Sequence, residues 1–252
     1  MNKFLVVLFT FLLINTMGYS FASDKQLISD SKRPILRAPQ TPAWSDWSNC
    51  RKAATAGVAR AIAKWQSQAV LKDVVINGLE ASGGSVTGPL LHPSIERTMT
   101  EAGVPVVVAN AFASSVSNAW GMWASSLRVP GLPWYPTFAQ VCGNMAPLMP
   151  NVPTPLGTLV GNMQPLSAFR LKASISSALG TLANDPKASA AINEFADDFA
   201  SRFTKYLASV KVTNVMGTGP VPGRTNLIPC GRVIGGKGTM KAGGFVGTWP
   251  AN

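Results

Sequence analysis

"WASSLRVPGLPWYP", residues 123–136, is where one kind of structure hands over to another. Trp123 ends an apolar run with helical spacing. Leu127-Arg128-Val129 is a short step with branched apolar residues. Pro130, Gly131 and Pro133 then forbid any further helix, since proline lacks the donor and clashes with the preceding turn. A helix running directly into a strand implies an α+β chain, with amphipathic helices bundled beside short strands.

The same form recurs at "YLASVKVTNVMGTGP", residues 206–220. Trp123 falls over Tyr206, Leu127 over Val210, Arg128 over Lys211 and Val129 over Val212. A fainter third copy begins at Trp65, in "WQSQAVLKDVV". Each copy reads as a helix that buries an aromatic in its last turn and then feeds a strand. The echo is either a weak internal helix–strand duplication, two units about a local pseudo-two-fold, or a short pattern met twice by chance. Its unequal spacings argue against a regular solenoid.

Around these junctions the helices are marked by period and caps. "SDWSNCRKAATAGVARAIAKWQSQAV" (45–70) carries Ala54, Val58, Ile62, Trp65 and Ala69 on one face. His92-Pro93 starts a short helix that "EAGVP" ends, and Pro105 opens the next, with Val108, Phe112, Ala119 or Trp120, Trp123 and Leu127 aligned. Residues 165–185 carry a stripe of Leu171, Ile175, Leu179 and Leu182. Asn184 or Asp185 then caps residues 186–210, where Ile192, Phe195 and Phe199 oppose Glu194, Asp197, Asp198 and Arg202. "VLKDVVING" (70–78) and "VKVTNVMG" (210–217) read as strands, and "GRVIGGKGTMKAGGFVGTW" (231–249) as short strands broken by glycine pairs. "SGGSVTGP" (82–89) reads as a turn-rich loop. Residues 129–157 hold seven prolines and read as a long crossover whose aromatics must be covered by something.

The first 22 residues have the three parts of a secretory signal: a basic start, the apolar run Phe4–Ile14 and small residues at Ser20 and Ala22. The expected location is therefore outside the cytoplasm: periplasm, cell surface or medium. Residues 23–43 lack periodicity and contain Pro34, Pro39 and Pro42, as an extended arm would. Residues 44–252 form the expected single domain. No later stretch has the 18 uninterrupted apolar residues of a membrane span.

The formal charge is +11, yet charged residues make up only 13% of the chain. The cations are scattered, which argues against nucleic acid and for an anionic envelope surface or polysaccharide. Three cysteines permit one disulfide after export, with one left over. The spacing does not choose the pair. Cys142 and Cys230, each in a Gly/Pro-rich segment after a helix, are favoured over Cys50.

Material for catalysis is scarce. His92 is the only histidine, so a nucleophilic triad would have to use it; its place beside Pro93 suits a helix cap or a solvated ring better. His92 and Glu96 share a helix face, but two ligands do not make a metal site. Glu194 and Asp198 suit a solvated face rather than a glycosidase pair. "GGKG" (235–238) lacks the rest of a phosphate loop and reads as a flexible turn. No cofactor is implied. "WSDW" (44–47) puts Asp46 between two indoles that could stack on sugar but more commonly pack. Trp134, Tyr135, Phe138, Trp44 and Trp47 are the candidate interaction surface.

The expectation from these features is an exported structural subunit that self-assembles or joins a larger cell-surface complex, and that is not an enzyme. A membrane-active protein is the first alternative, from the basic charge and the Ala/Ser/Gly-rich helices. An envelope hydrolase is the second; it would lose activity in His92→Ala or Glu96→Gln.

Overall fold

The computed structural model describes residues 44–250 except Gln140, Val160 and residues 223–229. The signal-peptide and arm readings (1–22 and 23–43) lie outside the described residues. All described residues belong to one compact unit, Ala43–Asn252, and the fold is α+β.

Each long helix begins where its local chemistry provides a cap. Helix α1 (Trp47–Gln68) starts on Asp46, whose carboxylate accepts from the Asn49 N–H at 3.1 Å. It is followed by strands β1 (Val70–Asn77) and β2 (Glu80–Thr87), joined by a two-residue turn at Gly78, φ +64°. Helix α2 (His92–Glu101) ends at Gly103, φ +82°, which takes the left-handed position after the cap, while the Val104 N–H reaches back to the Met99 carbonyl. Helix α3 (Val106–Ser126) follows Pro105, then strand β3 (Val129–Pro133) and a single helical turn, α4 (Pro136–Ala139). Strands β4 (Val141–Cys142), β5 (Met145–Pro150) and β6 (Thr154–Pro155) come next. Helix α5 (Ala168–Leu179) is capped by Ser167, and α6 (Pro186–Ser209) by Asp185, whose carboxylate accepts from the Lys187 N–H at 2.8 Å. Strands β7 (Lys211–Val212), β8 (Val215–Pro220), β9 (Cys230–Gly231), β10 (Gly236–Met240) and β11 (Phe245–Val246) complete the chain.

Helices α1, α2, α3, α5 and α6 pack on one another around a continuous aromatic cluster. Trp123 lies edge-on to Phe203 at 4.9 Å and to Trp120 at 4.7 Å, and Trp65 reaches Trp120 and Phe245 at 5.1 and 5.0 Å. The strands form an antiparallel sheet in the order β3-β2-β1-β10-β8-β5, a three-stranded β11-β7-β6 sheet and a β4-β9 pair.

Two segments differ from the sequence expectation. The Gly-rich 82–89 loop is strand β2 over most of its length, in continuous register with β1 from Val70↔Thr87 to Asn77↔Glu80. Its glycines bend the sheet instead of ending it: Gly83 and Gly84 lie at φ +75° and +82°, and Asp73 on β1 at φ +58°. The Pro-rich crossover likewise supplies strands. Pro130 and Pro133 lie in β3, and Pro147 and Pro150 in β5, the two edges of the six-stranded sheet. Edges are where a residue without an N–H is tolerated.

Those edges meet. Trp134 forms an antiparallel bridge with Asn151, and the Val152 N–H donates to the Pro133 carbonyl at 2.9 Å. The sheet thus curls until its first and last strands touch at one end. Asn151, buried, seals the seam. Its amide donates to the Val152 and Val212 carbonyls, and its side-chain oxygen accepts from the Val215 N–H at 3.0 Å.

The three aromatic junctions share one local geometry. Ala69, Leu127 and Val210 are extended caps following Trp65, Trp123 and Tyr206 by four residues, and each leads straight into a strand. The strands they feed are not equivalent. β1 is central in the large sheet, β3 is its edge, and β7 belongs to the three-stranded sheet.

Candidate functional site

Helix α3 bears no charged residue over its 21 positions. Its inner side carries Val108, Phe112, Val116, Trp120 and Trp123, all buried. Its outer stripe runs through Val106, Val107, Asn110, Asn118 and Met122, all exposed. Val107 is 70% exposed and Met122 62%. An outward helix face ordinarily carries charge; this one offers only apolar, amide and hydroxyl groups.

The C-terminal half of that stripe forms one wall of a cleft of about 480 Å³. Helix α5 supplies Arg170, Ala173 and Ser174, and the segment before it supplies Asn162, Gln164 and Pro165. That segment is pinned to the end of α3. The Asn162 N–H donates to Ser126 Oγ at 2.7 Å, and a Cβ on Gly161 would lie 3.1 Å from Leu127. Asn162 Oδ1 in turn accepts from the Gln164 N–H at 3.1 Å. Among the described residues no carboxylate lines the cleft, and Arg170 is the one charge in its wall. Beside it Phe169 is 75% exposed, and Met163 is also uncovered. Apolar, amide and hydroxyl side chains with a single cation can bury surface against another protein.

The aromatic surface expected from the sequence is placed differently. Trp134, Phe138 and Trp47 are buried inside this chain. Trp134 stacks toward Phe138 at 5.8 Å, and its indole N–H donates to the Met149 carbonyl at 3.2 Å. Trp47 donates to Asp185 Oδ2 at 3.2 Å, joining the starts of α1 and α6, and meets Trp44 edge-on at 5.0 Å. Asp46 is occupied as the α1 cap. The curl of the sheet and the meeting of the helix starts are what enclose these rings. Tyr135 remains exposed and Trp44 half-buried.

His92 is not the cap of α2: Leu91 holds that position, with no side-chain bond. His92 Nε2 meets Asn110 Oδ1 at 2.8 Å, Nδ1 lies 3.6 Å from Glu96, and Ser114 Oγ donates to the same Asn110 oxygen at 3.3 Å. The ring tethers α2 to α3. Among the described residues no three His, Cys, Asp or Glu side chains converge as metal ligands.

Glu194 and Asp198 lie on the outward face of α6, Glu194 exposed and Asp198 half-buried, and each is ion-paired there. Glu194 pairs with Arg51 of α1 at 3.1 Å, Asp198 with Arg202 at 2.8 Å, and neighbouring Asp197 with Lys172 of α5 at 3.1 Å. The Glu194–Arg51 and Asp197–Lys172 pairs link α6 to α1 and α5 at the surface, where ion pairs add little stability. "GGKG" is not a flexible turn: Gly236 opens β10, between β1 and β8.

Cys50 is fully buried, and burial, with Asp46 nearby, pushes its thiol up to about 12. It is an inert core residue. Burial also raises the Tyr206 phenol above its usual range.

Sequence reasoning named the rings and missed the cleft residues Asn118, Asn162, Gln164 and Arg170. The available signal was the absence of charge from 104 to 127 despite room for an outward face. No helix among the described residues is long and apolar enough to cross a membrane. No family model, curated protein or solved structure matches this chain.

Proposed function

We propose that this chain is an exported structural subunit that assembles with copies of itself or into a larger cell-surface complex. The observation that carries the reading is the uncharged outer stripe of α3, exposed at Val106 and Val107 at its start and at Met122 near its end, where Phe169 and Met163 are exposed beside the cleft. Contiguous exposed apolar groups mark interaction surfaces in soluble proteins. Burying them gains about 25 cal/mol per Å², and no charge on the stripe opposes that gain. The strongly positive net charge, +11 for the full chain with only Lys3 of it before residue 23, disfavours association elsewhere on the surface, so an uncharged face is where two copies approach at least cost.

Light scattering on the size-exclusion peak of the chain from residue 23 onward tests this. Assembly that grows with concentration is expected, with Val107→Asp and Met122→Lys shifting it to monomer. A monodisperse monomer over a wide concentration range overturns the reading. Dye release from anionic liposomes at micromolar protein would replace it with a membrane-active one.

A further inference from the structure

Among the described residues the β4–β9 ladder is one of the shortest, matched by β11–β7 and β6–β7. It has two rungs, Val141↔Gly231 and Cys142↔Cys230, in antiparallel register. A pair that short holds little by itself. It is nevertheless fixed from several directions. Three residues after Cys142, β5 pairs with β8 through Met145↔Pro220, and the Val221 N–H donates to the Asn144 carbonyl at 3.0 Å. Beyond Cys230, the Gly78 N–H donates to the Val233 carbonyl at 2.8 Å and the Ile234 N–H to the Pro220 carbonyl at 3.1 Å. A Cβ on Gly231 would lie 2.7 Å from Val221 Cγ1, so β9 is seated closely against the end of β8. Both cysteine backbones are therefore held at directly opposed positions.

Directly opposed residues of an antiparallel pair have Cα atoms about 4.5–5.5 Å apart. A disulfide spans Cα separations of about 4.4–6.8 Å. The remaining thiol, Cys50, lies buried in the first turn of α1 and is free.

From this register we infer that Cys142 and Cys230 form a cross-strand disulfide. It ties the segment leading into edge strand β5 to the segment leading into central strand β10, and makes a covalent link of an otherwise two-rung ladder. Its formation joins the two sulfurs and releases two protons and two electrons. The electrons go to an external disulfide, such as glutathione disulfide, which is reduced to two thiols. The inference is independent of the assembly reading: a monomer can carry this bridge, and an assembly can lack it.

The test uses the chain from residue 23 onward, refolded in a glutathione redox buffer or isolated from an oxidising compartment. It is unfolded in urea and treated with N-ethylmaleimide before and after reduction. One adduct before reduction, on Cys50, and three after it are expected. A non-reduced peptide map should join the peptides holding Cys142 and Cys230, and Cys50→Ser should leave that joined peptide in place. Three adducts without reduction, or a bridge that includes Cys50, would overturn the assignment. An intermolecular bridge, seen as a dimer on a denaturing non-reducing gel, would overturn it as well.

Discussion

The helical cluster and the curled sheet solve the same packing problem with opposite materials. Between the helices, volume is filled by large rings on both sides: Trp65, Trp120, Trp123, Phe199, Phe203 and Tyr206 touch one another in a chain. In the sheet, glycine forms one side of the closest contacts. A Cβ on Gly217 would lie 2.9 Å from Trp134 Cζ2, and one on Gly236 would lie 2.6 Å from Val233 Cγ1 and 2.9 Å from the Thr218 carbonyl. Strands β8 and β10 approach closely because Gly217, Gly219, Gly236 and Gly238 leave that space to Ile76, Trp134 and Val233. The two regions therefore fail in opposite directions. Helices suffer when side chains are cut down, and the sheet suffers when they are built up.

The largest effect is expected from Trp123→Ala, which empties the centre of the aromatic cluster; it should cost about 4 kcal/mol in urea unfolding. Retained stability there would mean the helices hold without the rings. Next comes Gly219→Ala. This smallest of additions drives a methyl into the Gly236 backbone and should cost about 3 kcal/mol, with the loss of β8–β10 amide protection seen by hydrogen exchange. If Gly219→Ala is neutral, the contrast between the two regions fails.

A third prediction concerns pH. The Cys50 thiol is raised from 9.0 to about 12, so the unfolded chain releases its proton first. Stability is complete below pH 9 and falls as pH rises toward 12, by at most about 1.4 kcal/mol per pH unit from this group. The Cys50→Ala variant should flatten unfolding free energy between pH 8.5 and 10, the range before the Tyr206 phenol adds a slope of the same sign. An unchanged slope would show that Cys50 is not buried as described. The smallest effect is Asp185→Ala, at about 1 kcal/mol, from loss of the α6 cap together with the Trp47 tether. No measurable change in thermal unfolding would deny that the helix starts are joined there.

Legibility in the sequence followed the same division. The helix starts at Pro105 and at Asn184 or Asp185 were readable because proline and cap signals act within one turn. The 3.6-residue stripe of α6 was readable because burial follows the local helix geometry. β2 was not readable: Gly83 and Gly84 look like a loop until β1 supplies the partner ladder. The prolines of β3 and β5 look like a crossover until the sheet reveals them as edges. For the candidate site, the uncharged character of α3 was visible, but the segment at 161–165 that completes the cleft carries no periodic signal of its own.

Residue order alone determined the α+β class, the helix–strand junctions at Trp65, Trp123 and Tyr206, and the capped helix boundaries, because each depends on contacts within one or two turns. Only the tertiary structure decided that Trp47, Trp134 and Phe138 lie inside the chain, that the edges of the sheet meet at Trp134 and Asn151, and that Cys142 faces Cys230. Those outcomes depend on strand order and register, which are set by contacts between residues far apart in the chain.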